Sequence, residues 1–101
     1  MIIKSQETLT ISTAVVVLTS SKYLGSTGPN ARNAEIMVLD APINVRLDGT
    51  NASATYGADS NIPYEPGSVF HLNELDKMLK FTAIKRTGAL KDAKIVVTYE
   101  V

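Results

Sequence analysis

The segment Ile43-Asn44-Val45-Arg46-Leu47-Asp48-Gly49 decides the fold class of this chain. Its apolar side chains occupy every second position, which is the period of a β-strand with one buried side and one solvent-facing side. The Asp-Gly pair at its end is a strong turn signal. The same alternation recurs at 79–85 and at 94–101. Three strands are therefore predicted, at 43–48, 79–85 and 94–101.

Four shorter segments predict further strands, at 8–12, 14–19, 35–39 and 68–72. Val, Ile and Thr together supply twenty-seven of the 101 residues, and their branched side chains suit a pleated sheet. We therefore predict an all-β fold, an antiparallel β-sandwich of about seven or eight short strands in a jelly-roll or immunoglobulin-like arrangement. At most one short helical turn is expected, near 73–78, where Leu and Met recur at helical spacing.

The length of 101 residues predicts a single domain over 1–101, with residues 1–7 as an N-terminal arm or an edge strand. Two stretches rich in Gly and Pro, 20–33 and 50–67, are predicted to be long loops. Loops of this length are uncommon in compact domains and are usually functional or mobile. They are the first place to expect a working surface.

Ten basic residues balance ten acidic ones, so the chain has no net charge with which to attract nucleic acid or an anionic membrane. The longest uncharged run, 8–21, is too short for a membrane helix, which needs about 20 mostly apolar residues. We predict neither a nucleic-acid nor a membrane partner.

The residues that usually carry chemistry are scarce. There is no cysteine, which excludes disulfides, thiolate catalysis and cysteine-bound zinc. The single histidine, His71, lies between Phe70 and Leu72 in a predicted strand, where a packed or edge residue is the simpler interpretation than a catalyst. The polar turn 48–51 lacks the spaced carboxylates of a calcium loop. No enzyme activity, cofactor or metal site is predicted.

Six side chains are candidates for an interface. Tyr23, Tyr56 and Tyr64 lie in or beside the long loops, where tyrosines either make contacts or fold back over the ends of the sandwich. Lys80, Lys85 and Arg86 belong to a basic segment, 77–94, that follows an acidic segment, 35–76. The two segments either pair across strands or form a bipolar docking surface.

Several segments resemble small structural proteins encoded by tailed bacteriophages and prophages. The matching segments cover the C-terminal two-thirds of the chain and are 34–38, 41–50, 54–57, 66–68, 79–81 and 93–99. In those proteins a Pro-Thr-x-x-x-Gly loop usually follows Arg-x-Asp-Gly-Thr closely. This chain has Asn51-Ala52-Ser53-Ala54-Thr55 there, without the proline and with a longer loop.

The resemblance implies a β-sandwich structural protein of a phage particle, most commonly a head decoration or cement protein on the capsid exterior. It would be made in the host cytoplasm and bind the major capsid protein or another virion protein, as a homo-oligomer with a trimer favoured. Residues 1–7 and 20–33 would then contact the capsid or a neighbouring copy. The alternative is a tail, head-fibre or spike domain that binds a host-surface ligand such as a glycan, through side chains such as Asn51, Tyr56 and Asp59.

Overall fold

The computed structural model describes residues 2–25, 28–55 and 61–101. These residues form seven strands in two antiparallel sheets, together with two short helices, so the all-β, sandwich-like class is confirmed. The strands are β1 (Ile3–Ile11), β2 (Asn33–Leu39), β3 (Ile43–Arg46), β4 (Ile62–Tyr64), β5 (Val69–Leu72), β6 (Thr82–Lys85) and β7 (Ala93–Glu100). The helices are α1 (Ser20–Tyr23) and α2 (Leu75–Lys80).

One sheet has four strands in the order β1-β7-β2-β5, and the other has three in the order β4-β3-β6. Constant-type immunoglobulin domains share this division into four and three strands, but place their last strand in the smaller sheet. Here the last strand, β7, lies inside the larger sheet between β1 and β2. A jelly roll has eight strands, one more than the described residues form. The arrangement therefore differs in detail from both expected ones.

The core lies between the two sheets and follows the alternation in the sequence. In β7, Ala93, Ile95, Val97 and Tyr99 are all fully buried, whereas the residues between them are at least partly exposed. The smaller sheet contributes the buried side chains of β3 and β6, and the larger sheet adds those of β1 and β2: Ile43, Val45, Ala83, Ile11, Ala34, Ile36 and Val38.

The two open sides of the sandwich are closed in different ways. On one side, the segment after β1 crosses to the smaller sheet, where Val16 and Ala83 exchange backbone hydrogen bonds of 2.8 and 2.9 Å. On the other side, the rings of Tyr64 and Phe70 stack with their centroids 3.8 Å apart and so join β4 to β5. Each side is therefore tied by a contact that spans the two sheets.

Several predicted elements need correction. The predicted strand at 14–19 is not a strand: only Val16 forms a bridge and only Leu18 is buried, because this segment closes the side of the sandwich. The predicted strand at 79–85 begins only at Thr82, since the two residues at its start complete α2. The predicted helical turn near 73–78 is α2, and a second short helix, α1, lies in the predicted loop 20–33.

The edge strand β1 is much longer than the predicted segment 8–12 and includes most of 1–7. Its register against β7 places Ser5 and Glu7 on the same side as Leu9 and Ile11, facing the core. Polar residues at inward positions conceal the alternation that would have identified the first half of this strand.

Candidate functional site

The outer face of the three-stranded sheet is covered by the chain's own loop. Asn44, in β3, is fully buried, and its Nδ2 donates hydrogen bonds to the carbonyl oxygens of Ser53 (2.9 Å) and Thr55 (3.2 Å). The Nδ2 of Asn61 donates to the Ser53 carbonyl as well, at 2.9 Å. Asn44 thereby holds the loop against the sheet at both Ser53 and Thr55.

Thr82, in β6, holds the earlier part of the same loop. Its hydroxyl donates to the carbonyl oxygen of Thr50 at 2.8 Å and accepts a hydrogen bond from the backbone N–H of Ala52 at 3.1 Å. Residues 50–55 therefore form a cover over β3 and β6, and both Asn44 and Thr82 are buried beneath it.

The outer face of the four-stranded sheet has no such cover among the described residues. The strand register aligns Val69 of β5 with Met37 of β2, and Met37 with Val96 of β7. Met37 is 38% exposed and Val69 is 48% exposed, and Val96 is half-buried between its neighbours. We call Val69, Met37 and Val96 the apolar row; it crosses three adjacent strands.

Hydrogen-bonding side chains lie beside the apolar row on the same face. The adjacent register line runs from Gln6 through Thr98 and Glu35 to His71, and the Nε2 of Gln6 donates to the Thr98 hydroxyl at 3.1 Å. On the other side of the row, the same face carries Lys94. An apolar strip bordered by polar groups of both signs has the composition of a protein-binding surface.

His71 is exposed in β5 and lies beside Asn33. Its Nδ1 lies 3.5 Å from the Nδ2 of Asn33, which donates to the Oε1 of Glu100 at 2.6 Å. The surface clefts of about 650, 420 and 230 Å³ that described residues form are lined by other side chains. Within the described ranges, no three His, Asp or Glu side chains are grouped as metal ligands.

The two tyrosines predicted as contacts that the structure describes, Tyr23 and Tyr64, pack against other aromatic rings of the chain. Tyr23 is 4% exposed, and its ring lies 5.8 Å from that of Tyr99 in the core, so it is not available at the surface. Tyr64 is half-buried against Phe70, and burial raises its pKa. Tyr56 lies outside the described residues.

The three basic candidates each form an ion pair within the molecule: Lys80 with Asp76 (3.1 Å), Lys85 with Asp92 (2.9 Å) and Arg86 with Glu65 (2.7 Å). The first and third pairs join the acidic segment 35–76 to the basic segment 77–94, although neither is a pair across hydrogen-bonded strands. Lys80 lies in α2, Lys85 in β6 and Arg86 directly after β6, so none of the three belongs to the uncovered face.

Sequence reasoning missed the apolar row, yet part of its signal is visible. In β2 and β7 the outward positions Met37 and Val96 are apolar, where a strand with one solvated side usually has polar residues. What the sequence does not contain is the register that aligns these two residues with Val69.

Both helices in the described part of the chain are too short to cross a membrane. Comparison of the chain with protein-family models, curated proteins and solved structures finds no match.

Proposed function

We propose that this chain is a structural protein of a bacteriophage particle, a decoration or cement protein that binds the outside of the assembled capsid and stabilises it. The class of particle comes from the resemblance of 34–99 to phage structural proteins. The observation that carries the binding role is the uncovered outer face of the four-stranded sheet with its apolar row.

The asymmetry between the two outer faces supports this proposal. One face is covered by residues 50–55, which two buried side chains hold in place, so it has no need of a partner. The other face leaves Met37 and Val69 in solvent, where apolar area is stabilised by any partner that removes it from water. A capsid surface provides such a partner, and a protein that binds only the assembled shell stabilises that shell by mass action.

The rigidity of the body also favours this role. Both sides of the sandwich are tied by contacts between the sheets, so a docking sheet face loses little conformational freedom on binding. The three side chains of the apolar row make only a weak contact on their own, and a homo-oligomer would gain affinity because several copies bind together. The major capsid protein is the expected partner.

The direct test is to locate the chain in particles of the phage or prophage that encodes it. Purified particles are labelled with a gold-conjugated antibody against the chain and viewed by electron microscopy. We expect many labels per capsid. Label confined to tails or fibres would favour the host-binding alternative instead, and particles without the protein would overturn both.

The contact face is tested by Met37→Lys, which places a charge in the centre of the apolar row. Particles from a strain lacking the gene are incubated with purified protein, and bound copies are counted after sedimentation. We expect Met37→Lys to reduce occupancy at least tenfold. Val17→Lys is the matched control, since Val17 is 58% exposed but lies outside this face, and it should bind normally. Wild-type occupancy by Met37→Lys would exclude the face as the contact.

A further inference from the structure

A cleft of about 650 Å³ lies at one end of the sandwich, between two connections that change sheets. Residues 40–42 join β2 to β3, and residues 87–91 lie between β6 and β7. The floor of the cleft is apolar: it includes the buried Ala41, the half-buried Ala89, and Pro42. The uncovered face described above does not include these residues.

Leu90 stands at the same cleft and is fully exposed, at 102%. The connection that carries it is held at its base, because Lys85 pairs with Asp92 at 2.9 Å and the backbone N–H of Arg86 donates to the Pro42 carbonyl at 3.2 Å. Leu90 is the most exposed large apolar side chain of the described residues, and it stands on a connection that is anchored at its base.

The rim of the cleft carries one charge of each sign, Asp40 on one connection and Lys91 on the other. Neither forms an ion pair with another described residue. Asp40 has φ 74°, and the N–H of Ala41 donates to the Leu39 carbonyl at 2.9 Å across it. This is the hydrogen bond of a γ-turn, and with a positive φ that turn is rare and strained. The turn fixes the backbone of Asp40 at the rim.

We infer that this cleft is a contact between two copies of the chain related by a two-fold axis, in which Leu90 of each copy sits on the apolar floor of the other. A two-fold contact requires a self-complementary patch, because the same surface meets itself. This patch contains both the protruding Leu90 side chain and, next to it, the apolar surface of Ala41, Pro42 and Ala89 that would receive it. We expect the same contact to pair Asp40 of one copy with Lys91 of the other, because these two opposite charges lie on the two connections that flank the cleft.

The size of the patch sets the expected strength. A stable interface buries about 800 Å² on each partner, and a cleft lined by eight residues is smaller than that. The contact is therefore weak in dilute solution and becomes populated where copies are concentrated. This inference rests on the proposed function in one respect only, namely that binding to a capsid would bring many copies close together. The zero net charge of the chain means that copies do not repel one another strongly.

Sedimentation equilibrium of the full chain, from micromolar to millimolar concentration, tests the contact. We expect a monomer–dimer equilibrium, and a dissociation constant that rises at least tenfold in Leu90→Asp. Because Leu90 is fully exposed, the thermal midpoint of this variant should match that of the wild type. Val17→Asp is the control, exposed elsewhere, and should dimerise normally.

The charge pairing has its own test. Lys91→Glu should weaken the dimer because it places two carboxylates together, and adding Asp40→Asn should restore part of the affinity; Asn is chosen because it tolerates positive φ. A monomer at all concentrations, a trimer, or a dimer unchanged by Leu90→Asp would overturn the inference. Shell binding is read separately through Met37→Lys, so either proposal can fail while the other stands.

Discussion

At the scale of single residues, the hydrogen bond between Tyr99 and Glu7 links the last strand to the first. The Tyr99 hydroxyl is buried and donates to Oε2 of Glu7 at 2.5 Å, and the hydroxyl of Thr19 donates to the other carboxylate oxygen at 2.6 Å. The inward-facing carboxylate of Glu7, on the edge strand β1, thus accepts hydrogen bonds from two hydroxyl groups. Burial, followed by the neighbouring Glu7 carboxylate, raises the pKa of Tyr99 well above its ordinary value.

This raised pKa predicts that the protein loses stability in alkali. Tyr99 stays protonated in the folded chain, whereas an exposed tyrosine ionises near its ordinary pKa of 10.0. Its contribution is therefore complete below about pH 10 and is lost as the pH rises towards the folded-state pKa, by up to about 1.4 kcal/mol per pH unit. The pKa values of Tyr23 and Tyr64 are raised too, which acts in the same direction.

Thermal midpoints measured across this alkaline range check the prediction. Tyr99→Phe removes the ionising group, so its midpoint should fall less steeply with pH than that of the wild type. At neutral pH the same variant should be destabilised by about 1 kcal/mol through the lost hydrogen bond. Identical alkaline slopes in the two proteins would contradict the assignment.

At the scale of elements, the loop over β3 and β6 depends on Asn44. Replacing Asn44 with Ala removes the side-chain donor to the Thr55 carbonyl and one of the two donors to the Ser53 carbonyl, the other being Asn61. We expect Asn44→Ala to lower the free energy of unfolding by about 2–4 kcal/mol, measured by denaturant titration. Asn51→Ala, at an exposed position of the same loop, should stay within about 0.5 kcal/mol of wild type. Equal losses in both variants would show that the buried amide has no special role.

The elements that sequence predicts well are those whose two faces differ in polarity. The strands near 43–48 and 94–101 are identified because burial on one side selects apolar residues at alternate positions. The elements missed are those in which polar residues or a proline interrupt the alternation of apolar and polar positions. The inward-facing Ser5 and Glu7 break the alternation in β1, and Pro63 lies in the three-residue β4, where it argues against a strand.

The apolar row could be predicted only in part, for a different reason. Each of its members is visible as an apolar residue at an outward position, but their alignment depends on register between strands far apart in sequence. A slip of one residue would turn every side chain of a strand to the opposite face. The candidate site is thus a property of the assembled sheet rather than of any one segment.

At the scale of the whole molecule, the described residues extend over 41 × 23 × 19 Å and combine zero net charge with an exposed apolar face. Protein molecules with little net charge repel one another weakly, so we expect solubility to be lowest near the isoelectric point of about 6.6. Met37→Lys combined with Val69→Lys should raise solubility at neutral pH, measured by ammonium sulfate precipitation. Val17→Lys with Leu79→Lys adds the same charge elsewhere and should help less. Equal gains would mean that charge alone limits solubility.

The way in which residues 50–55 are attached also bears on how freely they can be diversified. The side chains of Asn44 and Thr82 form hydrogen bonds with main-chain atoms of this stretch, and the Ser53 hydroxyl accepts one from the Thr55 N–H at 3.2 Å, whereas the side chains at 50, 51 and 55 are exposed. Its path is therefore independent of much of its own sequence. A combinatorial library that randomises positions 50, 51 and 55 and keeps Ser53 would vary chemistry on a constant framework, like the variable loops of an engineered scaffold.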